Sequence, residues 1–80
     1  MDTDVPEHRL ALVERQIVDA ERHVTLRRDI LTGLDMNGLA ASETADAVRD
    51  LLRHMENKLR AHTIERQRIQ AQLRRQLRAG

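Results

Sequence analysis

The stretch that decides the fold runs from Leu10 to Leu34, LALVERQIVDAERHVTLRRDILTGL. Its apolar residues step alternately by three and four: Leu10, Val13, Ile17, Ala20, Val24, then Arg27, Leu31 and Leu34. That spacing keeps one stripe on one face of a helix, with a charged interruption at Arg27. A short repeat reinforces it. Val13-Glu14-Arg15-Gln16-Ile17 returns seven residues later as Ala20-Glu21-Arg22-His23-Val24, and a seven-residue period places equivalent side chains on the same face.

Upstream, Asp4 before Val5-Pro6-Glu7 reads as a helix start, with a capping side chain, Pro in the first turn and an acid near the positive end of the dipole. Downstream, Gly33 is a plausible stop and Asp35-Met36-Asn37-Gly38 is turn chemistry. Ser42-Glu43 offers a second cap. The seam then resumes as Ala45, Val48, Leu52, Met55, Leu59, His62, Arg66, Ile69 and Leu73. The sequence therefore predicts an all-α single domain over 1–80: a helix over about 5–33, a turn over about 34–42 and a second helix over about 43–78.

Two long helices joined by a short turn fold back on each other as an antiparallel hairpin. A turn centred near Gly38 predicts Leu31 near Val48, Val24 near His54 and Met55, Val13 near Ile64 and Glu65, and His23 close to His54. It also lets the second helix overhang the first by roughly two turns. A two-helix seam buries little against the entropy of ordering two helices. That predicts a second packing layer, built from apolar residues off the seam: Leu12, Val18, Leu26, Ile30, Ile64 and Leu77. The expected arrangement is an antiparallel homodimer forming a four-helix bundle, with docking on a different protein as the alternative.

Composition narrows the function. Among the 80 residues there is no Cys, Phe, Tyr or Trp, so the chain has no disulfide, no thiolate metal ligand, no thiol nucleophile and no aromatic platform for stacking bases. Recognition falls to aliphatic side chains and arginine, which makes up 13 of the 14 basic residues and suits bidentate carboxylate or phosphate contacts. The net charge of +1 hides an asymmetry. Residues 1–40 hold five Arg against eight acids, whereas 57–80 hold seven basic residues against Glu65 alone. The opening MDTDVPEH is acidic and does not read as a secretory leader. No apolar run approaches the roughly 20 residues of a membrane span. A cytoplasmic protein without membrane partners is expected.

Three constellations invite chemistry. Asp19 and His23, and likewise Asp50 and His54, stand four apart. Facing each other across a hairpin, they would offer two imidazoles and two carboxylates to a divalent metal. Exposed Asp–His pairs on a helix surface are the more ordinary outcome, so no metal and no cofactor are assigned. His62 and Arg66 occupy seam positions, where polar residues usually set pairing; Arg27 belongs with them, with Asp50 or Glu56 as its expected partner. The basic end of the second helix, with Arg68, Arg74, Arg75 and Arg78, is the candidate surface for phosphate or a protein partner. Such a basic end also complements the negative end of the helix dipole with no partner at all. Catalysis finds little: Ser42 is the only serine and is best used as a cap. A small non-enzymatic interaction or adaptor protein is the expected class, with nucleic-acid association through the arginines as the alternative.

The motifs resemble those of a group of short alphaproteobacterial helical-hairpin proteins. Glu21-Arg22-His23-Val24, Arg28, Ile30, Leu51-Leu52, Met55-Glu56, His62 and Arg66-x-Arg68-Ile69 match their pattern, across roughly residues 13–73. Gln16 departs from it, where the pattern has His, as does Leu26-Arg27, where it has Arg-Gln. The resemblance implies an all-helical hairpin and attaches no activity, so it carries over no functional residue.

Overall fold

The computed structural model describes residues 5–79, and nothing beyond helix geometry at Ala79. Two helices make up the fold: α1 over Pro6–Met36 and α2 over Glu43–Ala79. They pack side by side into a rod of 60 × 24 × 15 Å. No helix among the described residues is long and apolar enough to cross a membrane.

The start of α1 differs from the sequence reading. The N-cap position is Val5, in extended conformation and without a side-chain cap, followed by Pro6 in the first turn; Asp4 lies outside the described residues. Pro is favourable there because its fixed φ suits the helix and its missing N–H would have had no intrahelical partner.

The far end of α1 also needs a correction. Gly33 does not stop the helix, which continues through Leu34, Asp35 and Met36. The stop is Gly38, whose φ of 74° lies in the left-handed region. Around it the Leu39 N–H donates to the Leu34 carbonyl at 2.8 Å, and the Gly38 N–H to the Asp35 carbonyl at 3.0 Å. These are the paired bonds of a Schellman motif, which occupy carbonyls that a helix end leaves without partners. The Asn37 side chain adds a third, donating through Nδ2 to the Gly33 carbonyl at 2.7 Å.

The reading of Ser42 holds. Its hydroxyl oxygen accepts from the Ala45 N–H at 3.1 Å and donates to the Leu39 carbonyl at 2.7 Å. One side chain thus caps α2 and ties it to the residue that closes α1. The Arg49 guanidinium crosses the same corner to the Ala40 carbonyl and to Asp46 at 2.9 Å.

Core burial follows the α1 seam closely. Val13, Ile17, Ala20 and Val24 are buried, as are Ala45 and Ile69 on α2. The rest of the α2 seam, from Val48 through Leu52, Met55, Leu59 and His62 to Arg66, is half-buried. Short and β-branched side chains line α1, and longer ones from α2 lie over them, so α1 is covered better than α2.

The register between the helices is about one turn away from the predicted one. Arg9 donates to Gln72 Oε1 at 2.9 Å, and Arg28 to Glu56 Oε2 at 2.9 Å. Val13 shares a groove with Glu65, as expected, and also with Ile69 four residues further on, whereas Ile64 borders a different groove beside Arg28 and Glu56. The start of α1 therefore reaches almost to the end of α2, and the predicted two-turn overhang shrinks to roughly one.

Candidate functional site

Stepping by seven residues from the Arg9–Gln72 bond defines one flank of the hairpin: Arg9 with Gln72, Gln16 with Glu65, His23 with Lys58, Ile30 with Leu51. Two of these pairs share grooves in the structure. Gln16 and Glu65 line one with Leu12, Val13 and Ile69; His23 and Lys58 line another with Asp19, Met55 and His62. The Arg28–Glu56 ion pair marks the opposite flank.

This geometry leaves Asp19 and His23 in one groove and parts them from Asp50 and His54. His23 faces Lys58 and His62, and His54 does not line their groove. Asp50 pairs with Arg53 on its own helix at 3.3 Å. His23 Nδ1 accepts from Arg27 at 3.3 Å. No group of three or more potential ligands comes together among the described residues. The one-turn change in register is the physical reason, because it carries His54 past His23. The same change gives Arg27 a partner other than the two expected, since Glu56 is taken by Arg28 and Asp50 by Arg53.

The six off-seam apolar residues are all exposed, Leu77 most of all at 81%. They do not form one surface. Leu12 and Ile30 are separated by five full turns and so lie on one line along α1, with Leu26 beside it. Each is 41–50% exposed. Val18 points well away from that line. Ile64 borders a groove on the opposite flank, with Arg28, Glu56, Leu59 and Gln67. The same seven-residue stepping sets a further exposed apolar residue, Leu51, opposite Ile30; it is 40% exposed. Leu51 lies outside the α2 seam, and its seven-residue spacing to Lys58 was the available sign of a flank position. Met36 and Leu39 at the hairpin tip, 81% and 47% exposed, were also missed.

The basic residues Arg68, Arg74, Arg75 and Arg78 are exposed along the last third of α2. The ion pairs among the described residues lie elsewhere, at Arg28–Glu56, Arg49–Asp46 and Arg53–Asp50. No family model, curated protein or solved structure matches the chain.

Proposed function

We propose that the chain is a small non-enzymatic interaction module: a helical hairpin that self-associates into a four-helix bundle and serves as an adaptor. The observation that carries this reading is the aligned, half-exposed apolar line of Leu12, Leu26 and Ile30 with Leu51 beside it. Surface-exposed aliphatics are ordinary singly, but a line of them on a molecule with so small a core favours a second packing layer. The grooves are shallow corridors between two helices, a shape suited to side chains of a neighbouring helix rather than to enclosing a small substrate. Light scattering across a concentration series tests the reading. A species of twice 9.3 kDa is expected, and a monomer that stays folded at micromolar concentration overturns it.

A second reading rests on the exposed arginines at the end of α2. Arg68, Arg75 and Arg78 share a side of the helix, and Arg74 stands at its edge, so they would meet a phosphate backbone together. Binding to duplex or single-stranded nucleic acid should then weaken steeply with salt and on replacing Arg74 and Arg75. Absence of binding at low salt removes this alternative.

A further inference from the structure

We infer that the second copy packs α1 against α1 in antiparallel fashion, about a two-fold axis that passes between Asp19 and His23. This rests on the self-association proposed above and specifies its surface and orientation. The argument starts from spacing. Leu12 and Ile30 lie on one line of the helix, and Asp19, Arg22 and His23, all exposed, fall between them. The pair Leu12 and Ile30 has the same midpoint as the pair Asp19 and His23. An antiparallel alignment that sets Leu12 of one copy against Ile30 of the other therefore sets Asp19 against the other copy's His23, with Arg22 adjoining, and does so twice by symmetry.

The alternative orientation fails on charge. A parallel pairing of the same face sets Asp19 against Asp19 and Arg22 against Arg22, placing like charges in the middle of the contact. The antiparallel pairing also matches the ground on either side. The seven-residue stepping from Arg9–Gln72 sets Leu51 opposite Ile30, two exposed aliphatics that together form an apolar ridge. Leu12 borders a groove of about 170 Å³ with Val13 and Ile69, and this is where the second copy's Ile30 arrives. Apolar contacts at both ends and, at the centre, the Asp19 carboxylate set against the other copy's His23 ring and the adjoining Arg22 cation give a face that is complementary to itself.

Because the chain contains no cysteine, single thiols report the orientation directly. Leu12→Cys and Ile30→Cys chains, checked for helicity by circular dichroism, are treated with a short bis-maleimide separately and as an equimolar mixture. The mixture is expected to give a covalent heterodimer. Each variant alone should give almost none, because its two thiols would lie roughly 27 Å apart along the axis. Cross-linking of each variant with itself and not in the mixture overturns the antiparallel orientation. Dimers by light scattering that cross-link in neither experiment overturn this surface while leaving self-association standing; a monomer throughout overturns both. Asp19→Arg should weaken the dimer at least several-fold, and Asp19→Arg with His23→Asp in one chain should recover much of the loss. Equal dimer strength in all three chains overturns the central charge pairing.

Discussion

The Arg9 guanidinium meets the Gln72 side-chain carbonyl at 2.9 Å, 63 residues apart in sequence and at the end of the hairpin farthest from its turn. This partly buried bond marks the register in which the seam closes. Gln72→Ala should lower stability by about 0.5–1.5 kcal/mol. Urea unfolding of Gln72→Ala, Arg9→Ala and the double variant measures it. Equal losses in all three are expected, since each removes the same bond.

The two described glycines should respond in opposite directions. Gly38 holds φ at 74°, so Gly38→Ala should destabilise by about 1 kcal/mol. Gly33 lies inside α1 with nothing within 4 Å of where a Cβ would sit. Gly33→Ala should therefore stabilise, by about 0.5–1 kcal/mol. Thermal melts followed by circular dichroism at 222 nm read both signs.

Ser42 is used twice, as donor to Leu39 and acceptor from Ala45. Ser42→Ala should lose about 1 kcal/mol. Ser42→Asp should keep the cap on Ala45 and lose only the donation to Leu39, so its melting temperature should fall between those of Ser42→Ala and the parent.

Ile17 and Val18 are neighbours with opposite fates, 5% and 52% exposed. Ile17→Ala should cost about 2–4 kcal/mol through a cavity in the seam. Val18→Ala should change stability by less than about 0.5 kcal/mol, and because it stands off the Leu12–Ile30 line it should leave dimer affinity unaltered. Chemical denaturation and sedimentation equilibrium separate the two effects.

Arg28 and Glu56 form the ion pair between helices on the other flank, with side chains 62% and 36% exposed. Water and salt screen a pair so placed, so a double-mutant cycle should give a coupling of about 0.2–1 kcal/mol that falls as salt is added.

The seam was legible in the sequence because its cause is local. Val13, Ile17, Ala20 and Val24 are buried as their alternating steps require, and Ser42 caps as its position before Glu43 suggests. Register was not legible to the same degree, because it depends on where one turn falls. Centring the turn near Gly38, where α1 has only just ended, placed it too close to the start of the chain, and any such shift displaces each facing partner by twice as much. That single error is what brought His23 and His54 together on paper. The end of α1 is a separate matter: the helix stops at Gly38, in the left-handed conformation, rather than at Gly33, and Asn37-Gly38 was the stronger of the two local signals. The apolar line from Leu12 to Ile30 was present in the spacing. Its separation from Ile64 became visible only once the flanks were fixed by Arg9–Gln72 and Arg28–Glu56.

The turn of this hairpin is held by its own backbone and by Asn37, Ser42 and Arg49, whose bonds all stay local to the corner. Closing the seam next to that turn requires only a short loop, whereas joining Arg9 to Gln72 first would mean closing a loop of most of the chain, at a greater entropic cost. The molecule should accordingly zip from its tip toward its ends and unzip in the reverse order. Amide hydrogens near Arg9 and Gln72 would then exchange ahead of those in the middle of the seam, in a gradient of local opening rather than a single step.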